Sequence, residues 1–294
     1  MVKFLTFLIN GVSLGSVYAI IALGYTMVYG IAKMLNFAHG DVIMVGSYMC
    51  FFAISSYHMN PVAGVLLAMV VCTLLGMVIE RLAYKPLRQA PSLAVLITAI
   101  GVSYFLQNGA QLLWGSNNKM FPAFLKGDAF SFLGGELKVS VTTVVNVVVC
   151  VVVMLALTWF TGKTKMGKAM RACSEDKGAA QLMGINVDTT ISMTFAIGSA
   201  LAAVAGVLYM SSYPILVPTT GSMPGIKAFT AAVFGGIGSI PGALLGGLLL
   251  GIIEIFAGGY INTQLQNAIV FAVLIVVLLV KPTGLLGKQI REKV

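Results

Sequence analysis

Long stretches without a charged side chain dominate the pattern of hydrophobic and polar positions along this chain. Seven such stretches exceed 20 residues: 4–32, 42–79, 89–118, 139–162, 189–226, 228–253 and 255–280. A helix that crosses a bilayer needs about 20 apolar residues, so the pattern predicts a polytopic membrane protein. Runs such as Ile269 to Val280 are continuously apolar. They lack the alternation of a transmembrane β-barrel, which favours helices.

The uncharged stretches divide into predicted membrane segments at 4–29, 37–55, 61–80, 92–115, 140–162, 189–210 and 265–281. The stretch 226–257 is too long for one ordinary span, and its Gly-rich run 235–242 is expected to break it into 226–238 and 241–257. The first piece is too short to cross as a straight helix. We therefore expect a re-entrant or tilted half-helix, covered by protein or by a water-filled cavity. The predicted fold class is an all-α integral membrane protein, a polytopic helical bundle of about eight or nine membrane segments in a single domain, 1–294.

Composition excludes a soluble globular domain. Charged residues make up 9% of the chain and hydrophobic residues 59%, and the mean hydropathy is +0.97, whereas soluble domains carry about 25% charged residues. The net charge of +9 comes from Lys and Arg in a few loops beside anionic lipid headgroups, so it does not indicate nucleic acid. The four cysteines suggest neither disulfides nor a metal site. The first apolar stretch is too long for a signal peptide and is interpreted as a retained span.

The distribution of Lys and Arg predicts the orientation of the chain. Loops 30–36, 80–91, 163–188 and 281–294 hold 13 basic residues. The segments on the other side of the membrane hold five basic residues, namely Lys3, Lys119, Lys126, Lys138 and Lys227. Because basic loops stay in the cytoplasm, we expect an external N-terminus, a cytoplasmic C-terminus and a cytoplasmic loop 163–188. Segment 116–139 is then the largest external piece, expected to be a short structured cap, with a protein-docking surface as the alternative.

The sequence carries no nucleotide-binding or metal-binding motif. No Lys follows the Gly-rich run 235–242, so that run does not match a phosphate-binding loop, and a helix break is favoured. Asp41 and Glu254 are the acids in apolar surroundings, where a charge is costly. We expect Asp41 to reach interfacial water or to cap a half-helix, and Glu254 to face the bundle interior, hydrogen-bonded or protonated. With so few intramembrane acids, the chain is expected to draw its energy from a partner.

Loop 163–188 is predicted to contain a short helix at 175–183. Ser174 is the expected N-cap, Glu175 falls in the first turn, where the helix dipole favours negative charge, and Gly184 ends the helix.

One face of this short helix is apolar, formed by Ala179, Leu182 and Met183, which follow helical spacing. Such a knob suits a groove on another subunit, and a loop helix packed on its own chain is the alternative. Asp188 with Thr189 is expected to cap the next span.

Four blocks of the sequence resemble permeases of the ABC importers for branched-chain amino acids. They are Asn10–Gly24, Leu35–Asp41, Met170–Ala172 with Ala179–Asn186, and Phe229–Ala243. They follow the order of that family and span nearly the whole chain. The third block is similar to the family's coupling-loop signature, and the fourth to its Gly-rich break.

This resemblance implies a permease subunit of the bacterial inner membrane that forms a translocation path with a second, related permease. It also implies two cytoplasmic ATPase subunits and a periplasmic binding protein that delivers leucine, isoleucine or valine. ATP and Mg would be bound by the ATPases, and no cofactor by this chain. The implied coupling-loop residues are Arg171, Glu175, Ala179, Leu182, Met183 and Gly184. Candidates for the path or its helix breaks are Asn36, His39, Gly40, Asp41, Gly235, Gly236, Gly238, Pro241 and Glu254.

Other interpretations remain open at the level of sequence. A stand-alone secondary carrier or a channel for small apolar or amide solutes would need no partners, and a carrier would depend on Asp41 or Glu254. The Gly-x-x-x-Gly pairs beginning at Gly11, Gly242 and Gly247 favour close helix packing, with an interface to the second permease as the alternative. The breaks at 36–41 and 235–242 are candidates for paired helix breaks that meet within the membrane.

Overall fold

The structure is a computed structural model that describes residues 1–125, 127–132 and 137–287. Within these ranges the α-helices are α1 Val2–Ala32, α2 His39–Ser55, α3 Pro61–Ile79, α4 Ser92–Trp114, α5 Val141–Lys163, α6 Lys165–Glu175, α7 Lys177–Leu182, α8 Val187–Ser212, α9 Ser222–Gly235, α10 Ile240–Phe256 and α11 Gln266–Val280. The short strands are β1 Lys119–Met120, β2 Asp128–Phe132, β3 Leu137–Ser140 and β4 Ile215–Leu216. Turns of π-helix extend α3 and α10, at Glu80–Tyr84 and Ala257–Ile261.

The expected helical membrane protein is confirmed in its main features. Among the described residues, six helices are long and apolar enough to cross a membrane, and α2 and α11 are shorter apolar helices. The predicted break in 226–257 lies where the Gly-rich run placed it, between α9 and α10. Gly236 and Gly238 both have positive φ there, 104° and 95°, which glycine adopts without strain.

Helix α1 forms the centre of the bundle. Every residue from Ser13 to Val28 is buried, and α10 runs antiparallel along it through glycine contacts. A Cβ on Gly15 would lie 2.8 Å from the backbone of Leu248, and one on Gly251 would lie 2.2 Å from the Gly15 nitrogen. The Gly-x-x-x-Gly faces are therefore packing surfaces inside this chain, because only glycine lets the two backbones come so close.

Helices α2 and α9 are short, and their N-termini meet inside the bundle. With 17 and 14 residues they extend about 25 and 21 Å, less than the roughly 30 Å of a bilayer core. A Cβ on Gly221, which precedes α9, would lie only 1.7 Å from the carbonyl oxygen of Gly40 in the first turn of α2. His39 at the start of α2 lies against Gly24 of α1, about 12 Å along that helix from its last residue.

The two ends of the bundle differ. We call the end where α1 begins the near end, and the end where α1 finishes the far end. At the near end, β1 pairs with β4 and β2 with β3, and Phe121 is buried beneath them. A small structured cap was the expectation for 116–139, and the described part of this segment contains these strands, whereas residues 126 and 133–136 lie outside the described residues.

The outer helices present apolar side chains away from the core. On α3, the five residues that are at least half exposed follow one another at every fourth position, as expected for a single helix face. They are Val62, Leu66, Val70, Leu74 and Val78. A helix face of this kind suits contact with lipid.

Candidate functional site

Loop 163–188 forms two short helices instead of the single helix predicted. Thr164 caps α6, its side-chain oxygen accepting from the Gly167 N–H, and α6 then continues to Glu175. The N-cap of α7 is Asp176, whose Oδ1 accepts from the Ala179 N–H at 3.0 Å. The prediction that Ser174 is the N-cap was wrong.

The end of α7 agrees with the prediction for Gly184. This residue has φ 80°, its N–H donates to Gln181 O, and the Ile185 N–H donates to Ala180 O. These two bonds form a Schellman motif. The following span begins differently from the prediction, because Asn186 caps α8 by accepting from the Thr189 N–H. Asp188 lies in the first turn instead.

The structure places an apolar tip at the end of α7. Leu182 and Met183 are 90% and 82% exposed, Ala179 is also exposed, and Ala180 between them is buried. We call Ala179, Leu182 and Met183 the α7 tip.

Arg171 and Glu175, the other predicted coupling residues, are exposed on α6. The guanidinium of Arg171 donates to Gly162 O at 3.2 Å, so this residue holds α6 to the end of α5. The structure therefore separates these two residues from the α7 tip by the turn at Asp176.

An ion-pair network that was not predicted fixes the base of this loop to the bundle. Glu80 is buried, pairs with Arg88, and accepts from Ser192 Oγ of α8 at 2.6 Å. Arg88 also pairs with Asp188, and Lys85 pairs with the same carboxylate at 2.7 Å. The extension of α3 and the start of α8 are thereby joined at the far end.

Lys177, the first residue of α7, connects the loop to α1. Its Nζ donates to Ala32 O at 2.7 Å, at the C-terminus of α1, where the helix dipole favours a cation. Burial lowers the pKa of Lys177, and the neighbouring charges of Arg88 and Lys33 lower this pKa further. The α7 tip thus lies next to residues that are fixed to the bundle, since Lys177 contacts α1 and the ion-pair network joins the extension of α3 to α8.

A polar cluster surrounds Asp41 where α2 and α9 meet. Asp41 is 1% exposed and accepts from Gln107 Nε2 of α4 at 2.9 Å. The same amide group lies 3.2 Å from both Ser103 Oγ and Ser222 Oγ. Asp41 lies in the first turn of α2, where the dipole favours a carboxylate, whereas the N-cap position itself is occupied by Ala38. We call Asp41, Ser103, Gln107 and Ser222 the α2/α9 cluster.

The remaining residues of the first break run alongside α9. His39 is buried against the ring of Tyr25, and Asn36 accepts from Tyr84 Oη at 2.9 Å. Asn36 also lines a small cavity with Ile237. The two predicted breaks therefore approach each other at Asn36, whereas the N-terminus of α2 meets Gly221.

The second break lies at the far end. The N–H of Leu286 donates to Gly235 O at 2.9 Å, and a Cβ on Gly236 would lie 2.4 Å from the nitrogen of Gly287. Pro241 follows the N-cap Ser239 of α10, as is usual for proline at a helix start. These residues form a packed turn, distant along α9 from the α2/α9 cluster.

Glu254 has a cationic partner that sequence reasoning missed. Lys227 had been assigned to an external segment, and this was wrong, because α9 begins at Ser222 and carries Lys227 into the bundle, where it is 7% exposed. Its Nζ lies 2.7 Å from Glu254 Oε1, and Gln266 Nε2 of α11 donates to the same oxygen at 2.6 Å. The sequence does contain a hint of this pair. Lys227 and Glu254 are opposite charges in neighbouring apolar segments, and an unpaired buried charge is costly.

The described parts of the chain contain no group of three or more His, Cys, Asp or Glu residues that could hold a metal ion. All four cysteines are free and buried.

Comparison with known proteins identifies close relatives. A family model described as "Branched-chain amino acid transport system / permease component" matches residues 7–278. The chain is 48% identical to the high-affinity branched-chain amino acid transport system permease protein LivH of Escherichia coli (strain K12), over 99% of this chain and 98% of that protein. It is 47% identical to the corresponding permease BraD of Pseudomonas aeruginosa, over 98% and 97% of the two chains. Among solved structures, PsaBC from Streptococcus pneumoniae in complex with Fab matches with a TM-score of 0.44 and 14% identity, covering 96% of this chain and 91% of that chain.

Proposed function

The chain belongs to the family of branched-chain amino acid transport system permease components, and we propose that it is the membrane-spanning permease subunit of a binding-protein-dependent ABC importer for leucine, isoleucine and valine. A second, related permease completes the path, two cytoplasmic ATPases supply the energy, and a periplasmic protein delivers the amino acid. ATP and Mg bind to the ATPases. This chain is a single permease domain without a catalytic role.

The observation that carries this proposal is the α7 tip. Two large apolar side chains, Leu182 and Met183, stand almost fully exposed at the end of a helix of only six residues. Exposed apolar side chains on a fixed support are typical of contact sites. The ion pairs of Glu80, Arg88 and Asp188 join the extension of α3 to the start of α8, and Lys177 of α7 contacts the end of α1. These contacts are the proposed route by which a displacement of the tip reaches the bundle.

The α2/α9 cluster is the best candidate for the translocation path. Ser103, Gln107 and Ser222 are only half-buried, and Met223 and Ile226 beside them on α9 are 41% and 42% exposed. Polar groups at this depth need protein or water to cover them, and a second permease facing a wet path provides both. Short helices whose N-termini meet within a membrane are a common arrangement in transporters.

We propose nine membrane segments, with the near end outside and the far end in the cytoplasm. In this topology α9 completes a crossing that begins at the near-end cap with strand β4 and the turns at 218–221, so it is a half-helix that crosses and does not return. Lys33, Arg81, Lys85 and Arg88 lie at or beside the far end, and moving Lys227 to the interior leaves fewer basic residues outside, as the orientation requires. Lys288, Arg291 and Lys293 lie outside the described residues.

The stand-alone carrier has less support. That hypothesis needs an acid within the membrane that binds and releases a proton or ion. Of its two candidates, Glu254 is already held by Lys227 and Gln266, which leaves Asp41 to serve alone.

The proposed function is tested by co-purification of the tagged chain from its native membrane. The wild-type chain is expected to bring a second multi-span permease and two ATPases. Leu182→Asp is expected to insert normally and to retain the second permease but lose the ATPases, because a charge on the α7 tip has no partner in an apolar groove. Lys168→Asp, at an exposed position of α6, is the matched control and should retain them. Full recovery of the ATPases with Leu182→Asp would refute the role of the tip.

A further inference from the structure

Helix α4 combines the greatest exposure with the least apolar sequence. Among the six helices of the described residues that are long and apolar enough to cross a membrane, α4 has both the smallest buried share and the lowest mean hydropathy. A helix that faced lipid over most of its surface should be the most apolar of the set, because lipid offers polar groups no hydrogen bonds. Lipid therefore does not account for the exposed face of α4.

The polar side chains of α4 lie on this exposed face and within the depth of a membrane. Asn108 and Gln111 are exposed, and Tyr104 is 63% exposed. Because α4 runs from Ser92 to Trp114, Tyr104 lies near the middle of the span and Asn108 about 9 Å from its end. Tyrosine is normally enriched at the membrane interfaces instead. On α3, by contrast, the most exposed residues are all aliphatic.

The exposed residues of α4 follow the spacing of a contact line between two helices. Ile97, Gly101, Tyr104, Asn108 and Gln111 are separated by alternating steps of four and three residues, and all five are exposed. This is the repeat of helices that cross at about 20°, a common arrangement in membrane bundles. We call these five residues the α4 seam.

Two members of the α4 seam are suited to a neighbouring helix. A Cβ on Gly101 would meet no atom within 4 Å, so packing inside this chain does not require glycine there, whereas a close external helix does. The Nδ2 of Asn108 donates to the carbonyl oxygen of Tyr104 at 2.7 Å, which leaves its Oδ1 to accept from a partner. A single Asn in such a contact line also fixes the register of the two helices.

The α4 seam adjoins the α2/α9 cluster. Gln107 of the cluster lies one helical turn before Gln111, and Ser103 lies one turn before Gln107. Both side chains are half-buried. The opposite side of α4 packs mainly against α2 and the extension of α3. A helix seated on the seam would therefore cover the open side of the cluster.

We propose that the α4 seam binds a transmembrane helix of the second permease, and that this helix carries small, amide or hydroxyl side chains opposite Gly101, Asn108 and Gln111. The translocation path then runs along one edge of this contact, between the α2/α9 cluster and the partner. The inference rests on the proposed function for the existence of the second permease and adds the surface that binds it.

Site-specific photo-crosslinking in the native membrane tests the occupant of the seam. Tyr104 is replaced by p-benzoylphenylalanine, the membranes are irradiated, and the adducts of the tagged chain are identified by mass spectrometry. The expected adduct is with the second permease. Val70, an exposed residue near the middle of α3, receives the same photoreactive group as the control and should give no adduct with that protein.

Two glycines of α4 provide a matched pair of variants. Neither Gly101 nor Gly109 would place a Cβ within 4 Å of another atom, so Gly101→Leu and Gly109→Leu should both insert at wild-type levels. Gly109 lies about a third of a turn around the helix from the α4 seam. Gly101→Leu should lose most of the second permease on co-purification, because the new side chain occupies the contact line, and Gly109→Leu should retain it.

Asn108 tests the hydrogen bond across the contact. Asn108→Leu should weaken the association of the two permeases about 3- to 30-fold, the range for one hydrogen bond between membrane helices. Asn108→Gln, which keeps the amide, should retain most of the affinity. The measurement is dissociation of the purified pair on dilution in detergent.

An adduct at position 104 with lipid alone, or with a second copy of this chain, would overturn this inference if the wild-type chain still recovers the second permease. Equal recovery of that permease with Gly101→Leu and Gly109→Leu would overturn it as well. Failure of the wild-type chain to recover any second permease would instead refute the proposed function, and the occupant of the α4 seam with it.

Discussion

The ion pair between Lys227 and Glu254 allows a quantitative prediction about the half-helix α9. At 2.7 Å between Nζ and Oε1, the direct attraction is about 6 kcal/mol at an effective dielectric constant of about 20. Replacing Lys227 by Met removes this attraction and leaves a buried carboxylate with Gln266 as its remaining hydrogen-bond donor. Breaking a buried pair in this way costs about 3–5 kcal/mol. The unfolding equilibrium constant should therefore rise about 140- to 3,700-fold, since each 1.4 kcal/mol is a factor of ten.

The assay is equilibrium unfolding of the purified chain in mixed micelles as the fraction of a denaturing detergent is raised, followed by circular dichroism. Lys227→Met and Glu254→Gln are compared with the double variant, which contains neither charge. The double variant should recover most of the loss, because a neutral pair needs no charge compensation. Lys138→Met, which removes the exposed pair with Asp128, is the matched control and should change stability by less than about 1 kcal/mol. A single variant as stable as the wild type would refute the reasoning, and so would a double variant no better than the worse single one.

Three further predictions concern other contacts. Gly221→Ala should prevent stable folding, because a Cβ there would lie 1.7 Å from the carbonyl oxygen of Gly40. Gly109→Ala, on an open face of α4, should instead stabilise the chain by about 1 kcal/mol. Unfolding in denaturing detergent compares the two variants, and equal stability would refute the close approach of α2 and α9. Arg88→Ala should destabilise by about 3–5 kcal/mol because it leaves Glu80 buried without a cation, and the added change Glu80→Gln should restore stability in the same assay. Asp41→Asn should lower leucine uptake into proteoliposomes about tenfold or more, since a hydrogen bond to a charged group is worth about 1.5–3 kcal/mol. The variant should still co-purify with the ATPases. Normal uptake would exclude the α2/α9 cluster from the path.

Sequence reasoning located the membrane helices and the break between α9 and α10 because these depend on local properties. A long uncharged stretch requires a helix in lipid, and paired glycines with positive φ stop one. The same holds for Gly184, whose role at the end of α7 follows from its own backbone conformation.

The errors arose where two local solutions competed or where the partner was distant in the chain. Ser174 and Asp176 are both residue types that favour the N-cap position. Asp176 caps α7 because α6 continues through Ser174 to Glu175. The uncharged stretches on both sides of Lys227 predict that it marks the edge of a span, since a single charge normally does so. Its compensating carboxylate lies 27 residues away, and only the packing of α9 on α10 brings the two together.

The α2/α9 cluster was predicted only in part. Asp41 stood out as an acid in an apolar segment, but Gln107 and Ser222 did not, because single polar residues in a span are ordinary. Their meeting depends on the close approach of Gly40 and Gly221, which no local pattern encodes.

The contact between α1 and α10 has a consequence for biosynthesis. Helix α1 leaves the ribosome first, yet the glycines that receive it on α10 lie about 230 residues later, which at about 5–20 residues per second means a delay of roughly 10–50 s. During that interval the most deeply packed helix of the mature protein has only lipid, earlier helices or the insertion machinery around it. Chains that stop before α10 would leave the α10-binding face of α1 uncovered. We expect cellular proteases to recognise incomplete permeases by this uncovered helix face.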